Sequence, residues 1–156
     1  MQGHADYALQ ESVIVVKDIL RKYPDRYRHI ATTLCDHIPS LYESQAKVSI
    51  IWILGHFCDY VDGSTDALHD YALSFLDESS DVQLALLTAA VKLFLRKPKS
   101  SGAIVQKILH EATDLIANPD VRDRGYFYMR LLTMDANMAT AVVFADAAPE
   151  EALDLI

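Results

Sequence analysis

The side chains able to ligate a metal or attack an electrophile are six histidines, His4, His29, His37, His56, His69 and His110, and two cysteines, Cys35 and Cys58. A zinc site needs several such donors at one point, supplied by i, i+3 or i+4 pairs on a helix or by a Cys-x-x-Cys step. None of the histidines stands at that helical spacing from another histidine or from a cysteine. His56, on an apolar helix, therefore reads as a hydrogen-bonded histidine rather than a ligand. Both cysteines sit in apolar helical pattern and read as reduced core thiols of a cytosolic protein. The chain has no GxxxxGK[ST] phosphate loop, no GxGxxG, no HExxH and no GxSxG. It offers no catalytic, cofactor-binding or metal-binding residue, and it assigns no residue to a partner.

Charge narrows the partners. Fourteen Lys and Arg against 22 Asp and Glu leave a net charge of −8 over 156 residues, the wrong sign for a phosphate backbone. The apolar fraction of 51% is enough to bury a core. The longest near-continuous apolar stretch, Val48 to Cys58, falls short of the ~20 residues that span a bilayer. No charged flank followed by an apolar signal core opens the chain, which reads as neither secreted nor membrane-spanning.

Three local patterns have a plain reading beside the sharper one. The acidic run Asp59, Asp62, Asp66, Asp70, Asp77, Glu78 and Asp81 is expected to be a solvated face. Arg122-Asp123-Arg124-Gly125 with Arg130 is expected to tie adjacent elements through charge-assisted hydrogen bonds rather than to dock a partner. Tyr27-Arg28-His29-Ile30 and Glu151 to Ile156 imitate short sorting signals, which act only when extended and exposed, and neither is assigned that role.

The elements that hold these residues are helices. Pro24, Pro39, Gly63, Pro98, Pro119 and Pro149 punctuate runs that are apolar at helical spacing. Helices are expected over Tyr7 to Lys22, Asp25 to His37, from Ser40 through Phe57, Ser64 to Asp77, Ser80 or Asp81 to Arg96, Ser101 to Ala117, from Asn118, and Ala136 to Ala145. Ser40 with Glu43 three residues on has the form of a capping box. Asn118 before Pro119 places a cap ahead of a proline at the first helical position, and Asp135 is expected to cap the short run Ala136 to Ala145. The third and fifth runs are apolar nearly all round, so they should be covered on all sides, whereas the runs between them keep a polar face.

Spacing orders the helices. Leu20-Arg21-Lys22-Tyr23-Pro24 returns as Leu95-Arg96-Lys97-Pro98, and Asp81-Val82 as Asp120-Val121. Starts near residues 7, 41, 80 and 119 keep a step near 37, two helices per step, the mark of an α-solenoid. The expected fold is all-α, an α-solenoid of about four helical hairpins.

The strings Val15-Val16-Lys17-Asp18-Ile19-Leu20-Arg21-Lys22-Tyr23-Pro24, Ala31-Thr32-Thr33-Leu34-Cys35, Ile51-Trp52-Ile53-Leu54-Gly55, Asp77-Glu78-Ser79, Leu86 to Leu95, Asn118 to Tyr126 and Asp154-Leu155-Ile156 stand in this order. Together they closely resemble the trunk of the beta-adaptin large subunits of clathrin adaptor complexes. The resemblance covers residues 6–156; residues 1–5 read as an added or disordered start. It implies a HEAT/armadillo-like solenoid and a non-catalytic scaffold segment from the C-terminal part of that trunk, without cofactor. The partners it implies are a second large chain, a medium chain and a small chain, with clathrin bound only through parts of the subunit absent here. It further implies a cytoplasmic location, peripheral on coated regions of Golgi, endosomal or plasma membrane, and a part in cargo sorting.

One position departs from the pattern: Tyr128-Met129-Arg130-Leu131-Leu132 carries methionine where the resemblance leads one to expect tryptophan, so looser packing is expected there. Two other readings stay open. The repeats could belong to a coatomer large subunit or a nuclear transport receptor. An all-helical enzyme would instead need an enclosed pocket with converging polar groups.

Overall fold

A computed structural model describes residues 2–145, with side chains from residue 6 onward. The described chain is helical: α1 (Gln2–Lys22), α2 (Pro24–Tyr27), α3 (His29–Leu34), α4 (Ser44–His56), α5 (Ser64–Leu73), α6 (Ser80–Arg96), α7 (Pro98–His110), α8 (Pro119–Leu132) and α9 (Ala136–Val143). Short 3₁₀ turns follow α3 (Cys35–Ser40) and α5 (Phe75–Asp77), and a π-helical turn, Glu111–Leu115, follows α7. The helices form successive hairpins laid in a row, with α1, α4, α6 and α8 in contact in that order and α5 against α7 on the other side. This is the expected all-α solenoid.

Long-range hydrogen bonds carry the repeat step. Ser44 Oγ meets Ser79 Oγ at 3.3 Å, 35 residues on, and Asn118 Nδ2 donates to Ser80 Oγ at 3.0 Å, 38 residues back. Thr88 Oγ1 and Tyr128 Oη share a bond of 2.6 Å across 40 residues, and Lys107 Nζ donates to the Ala72 carbonyl at 2.9 Å across 35. Each joins corresponding places in neighbouring hairpins at separations of 35 to 40 residues, a regularity that a closed bundle would not show.

The core runs along the first helices of the hairpins. Ile50, Ile51, Ile53 and Leu54 of α4 and Val82, Leu87, Val91 and Leu93 of α6 are buried. Gly55 lets these two helices close on each other: a Cβ there would sit 2.8 Å from both Cα and Cβ of Ala89. Gly125 does the same for α8, where a Cβ would lie 3.0 Å from Thr113 Cγ2 and 3.2 Å from Ala112 Cβ.

Several element ends differ from expectation for local reasons. The capping box at Ser40 and Glu43 does not form. Ser40 ends a 3₁₀ turn containing Pro39, α4 begins at Ser44, and Glu43 makes no side-chain cap. Buried Gln10 of α1 serves instead, its Oε1 accepting from the Tyr42 and Glu43 N–H groups at 3.2 Å while its Nε2 donates to the Ser40 carbonyl at 3.0 Å. The second run divides at Arg28, and its end is the 3₁₀ turn around Pro39, whose ring and missing N–H disfavour an α-helix interior. Pro98 opens α7 three residues before the expected start, because a proline at the first helical turn sacrifices no bond. The caps at Asn118, accepting from Asp120 N–H at 2.9 Å, and at Asp135, accepting from Asn137 N–H at 2.7 Å, stand as expected.

The fourth hairpin is irregular. α9 turns back against α6, on the side where the first helices lie, instead of continuing the outer row beside α7. The closing strings beyond residue 145, with Pro149 and the sorting-like Glu151 to Ile156, lie outside the described residues.

Candidate functional site

The expectation that α4 and α6 are covered on all sides fails along one face. Val48 and Trp52 of α4 and Leu84, Ala85 and Thr88 of α6 are only half-buried, and they floor an open groove of about 510 Å³. Lys17 of α1 closes one wall, and Arg124, Phe127 and Tyr128 of α8 with Val142 and Val143 of α9 form the other. The helix is apolar all round in sequence because part of its circumference lines this groove.

Trp52 is the centre of the groove's rings. His56, one turn along, stacks on it with centroids 4.7 Å apart and planes at 10°, and Phe144 beyond α9 stands 5.6 Å from His56. Cations gather on the same rings. Lys17 Nζ lies 5.7 Å and Lys92 Nζ 5.2 Å from the Trp52 centroid, and the Arg96 guanidinium 4.4 Å from that of Phe144. An ammonium or guanidinium within about 6 Å of an aromatic face is attracted by its quadrupole. Lys92 is buried, with Nζ 3.3 Å from His56 Nδ1. Among the described residues Asp81 is the one carboxylate in the lining. On a chain of net charge −8 this is a local reversal of sign.

His56 thus sits on an aromatic and cationic surface, while His29, His37, His69 and His110 are exposed. Among the described residues no three His, Cys, Asp or Glu side chains converge as a metal site would require. Cys58 is buried and Cys35 half-buried, both as free thiols. Burial, and after it the neighbouring carboxylates of Asp59 and Asp36, raise the two thiols above the ordinary range, so they are protonated and poorly nucleophilic near neutrality. Cys35 lines a second open hollow of about 520 Å³ with Ile38, Leu41, Lys47 and Tyr71.

The arginine-rich string does not tie hairpins together as expected. Arg122, Asp123, Arg124 and Arg130 are exposed, and none of them makes an ion pair among the described residues. Arg122, Asp123 and Arg130 lie off the packing face of α8, which is Val121, Gly125, Tyr128 and Leu131, while Arg124 lines the groove wall and reaches over the Tyr128 ring at 5.9 Å. An ion pair that does link neighbouring hairpins is Lys47–Glu78, at 3.2 Å. The acidic run is therefore not wholly a solvated face: Glu78 is half-buried in that pair, and Asp59 stands 3.8 Å from Arg96, while Asp62, Asp66, Asp70, Asp77 and Asp81 are exposed. Met129 is 43% exposed, so its side chain lies outside the core where looser packing was expected. No helix among the described residues is long and apolar enough to cross a membrane.

The family model for the adaptin N-terminal region matches residues 1–136 of this chain. The chain belongs to the adaptin family. Its relatives include the AP-1 complex subunit beta of Dictyostelium discoideum, 46% identical over 146 residues, covering 94% of this chain and 16% of the relative. The human AP-1 complex subunit beta-1 is 45% identical over 146 residues, covering 94% of this chain and 15% of the relative. The AP-2 complex subunit beta of Schizosaccharomyces pombe is 41% identical over 149 residues, covering 96% of this chain and 22% of the relative. The adaptin segment described here is thus of the beta type and spans about a sixth of the length of its AP-1 relatives. The groove around Trp52 is the feature of this adaptin that the sequence reading missed, and its signal was the lone tryptophan on a helix with lysines at positions 17 and 92.

Proposed function

We propose that this chain is a non-catalytic scaffold segment, residues 6–156, from the C-terminal part of a beta-adaptin trunk. In this reading it works within a clathrin adaptor complex, beside a second large chain, a medium chain and a small chain, in vesicle-mediated protein transport and endocytosis. Clathrin is reached through parts of the subunit that this segment lacks. The whole complex works from the cytoplasm, peripherally on Golgi, endosomal or plasma membrane coats.

The observation that carries the reading is the row of first helices, α1, α4, α6 and α8, stacked at one repeat step in a chain 45% identical to an AP-1 beta subunit. Repeats that touch only their neighbours give a long surface, and small changes at each junction add into a large change of curvature. Such a scaffold can hold the medium chain's cargo-binding domain in a closed complex and release it when the trunk straightens.

The test is reconstitution of the four-chain complex with the parent subunit lacking these hairpins. Loss of assembly, or of docking by the cargo-binding domain, is the expected result. A deleted subunit that assembles and docks normally defeats the proposal.

A further inference from the structure

Between the first and second hairpins the outer side of the row stays open, and the local sequence explains it. The second run breaks at Arg28 and ends in the 3₁₀ turn at Pro39, so α3 has six residues and no long helix lies beside α5. One step along the row, α5 packs on α7 and Lys107 bridges the two. The space left in the first step is the hollow of about 520 Å³ that Cys35 lines, with Ile38, Leu41 and Ala67 as apolar lining. Its charge is acidic. Lys47 is paired with Glu78 at 3.2 Å, whereas Asp62 and Asp70 are exposed and form no ion pair among the described residues. Tyr71 gives an independent sign of a ligand: it lines the same hollow at 9% exposure, and its hydroxyl has no hydrogen-bond partner among the described residues. A buried donor left unmatched costs free energy that an incoming acceptor recovers. Sign then selects the occupant. Carboxylates repel phosphate, which excludes nucleic acid and anionic lipid. Among the described residues no His, Cys, Asp and Glu group is placed to hold a metal ion, so the cation has to arrive on a side chain.

We propose that this hollow binds an extended segment of another protein in which an aliphatic side chain stands between two basic ones. The aliphatic group fills the space against Ile38, Leu41 and Ala67, and the basic groups meet Asp62 and Asp70. A small swing of the Tyr71 ring brings its hydroxyl to a main-chain carbonyl of the segment. Alternate residues of an extended chain face one side, so the pattern read is a basic residue, an aliphatic one two positions on, and a second basic one two positions beyond that. The site lies between two hairpins of the row, and the inference holds whichever adaptor complex the chain serves.

The probe is the blocked peptide Lys-Thr-Leu-Thr-Lys, titrated into the full chain while amide chemical shifts are followed by NMR. Saturable shifts are expected at Ile38, Gly63, Ala67 and Ser74, and none with the same peptide carrying glutamate for lysine. The variants D62N/D70N, A67F and Y71F are compared after circular dichroism has shown their fold and melting unchanged. D62N/D70N should raise the dissociation constant on the order of tenfold, the limit for two exposed ion pairs, and high salt should act in the same direction. A67F, which fills the hollow, should abolish the shifts, and Y71F should weaken binding without changing its salt dependence. D120N/D123N makes the same change of net charge on α8 and should leave binding as it was. The proposal is overturned by a native chain that shows no saturable shift, by binding that A67F leaves intact, or by equal weakening in D120N/D123N. It is overturned too by shifts at the hollow that appear when the chain alone is concentrated, because the occupant is then a second copy.

Discussion

A methyl group on Gly55 of α4 would lie 2.8 Å from both Cα and Cβ of Ala89 in α6, so the two helices of neighbouring hairpins meet at backbone contact. Neither side offers a flexible end that can move aside. Gly55→Ala is therefore expected to push the helices apart and cost about 1–3 kcal/mol, the range for overpacked cores. Urea unfolding measures this. Combining it with Ala89→Gly should recover part of the loss, although a glycine in a helix interior itself costs about 1 kcal/mol relative to alanine. Independent, additive effects of the two substitutions would show that the contact is not what limits the approach.

Gln10 predicts a second effect at a distance from its own helix. It is fully buried, and it bonds the Ser40 carbonyl and the N–H groups of Tyr42 and Glu43 ahead of α4. Gln10→Leu keeps the bulk but leaves buried backbone groups unmatched, at about 1–3 kcal/mol for each such group. Amide exchange should accelerate first at Tyr42 and Glu43, while the cap of α8 at Asn118 stays protected.

Tyr71 gives a prediction of opposite sign. Its ring is buried, its hydroxyl has no hydrogen-bond partner among the described residues, and burial together with the Glu78 charge raises its ionisation far above the ordinary value of 10.0. The unfolded chain ionises near that ordinary value while the folded chain keeps the proton. Stability is then unaffected below about pH 9 and falls as pH rises through 10. Tyr71→Phe should be neutral or stabilising at pH 7, because it removes an unmatched hydroxyl, and it should flatten the alkaline loss. Thermal melts from pH 7 to 11 for both proteins decide this; a Tyr71→Phe protein that is weaker at pH 7 points to a partner for the hydroxyl.

What could be read from the sequence, and what could not, divides by the range of the interaction. Helix type, the Asn118 and Asp135 caps and the repeat step depend on neighbours a few residues away or on a rhythm, and all were legible. The start of α4 was misread because its N-terminal groups are met by Gln10, 32 and 33 residues back, where a local rule sees only Ser40 and Glu43. The direction of α9 was illegible for the same reason: eight helical residues and their cap say nothing of whether the helix follows α7 or folds onto α6. The groove stayed hidden because an apolar circumference on α4 and α6 describes equally a covered helix and one that lines an open channel. The role given to Arg122, Asp123 and Arg130 failed because charge density alone does not say which side of α8 faces the next hairpin.

Lys107 joins the outer helices of the second and third hairpins, donating to the Ala72 carbonyl at the end of α5 at 2.9 Å and to Glu111 Oε1 at 2.6 Å. Its removal does more than delete two bonds, because Glu111 is buried and its other oxygen already has no partner among the described residues. Lys107→Met should cost about 1–3 kcal/mol, the price of leaving a buried polar group unmatched, and more than removal of an exposed pair such as His110–Asp114. The double substitution Lys107→Met/Glu111→Leu should regain most of that, since replacing both partners by apolar groups removes the stranded charge. In a solenoid the damage should also be confined, because each hairpin leans only on its neighbours. Amide exchange should therefore rise in α5 and α7 of the Lys107→Met protein and stay unchanged in α1. A uniform rise along the whole chain would mean that the hairpins unfold as one unit, and would contradict the additive junctions on which a change of curvature depends.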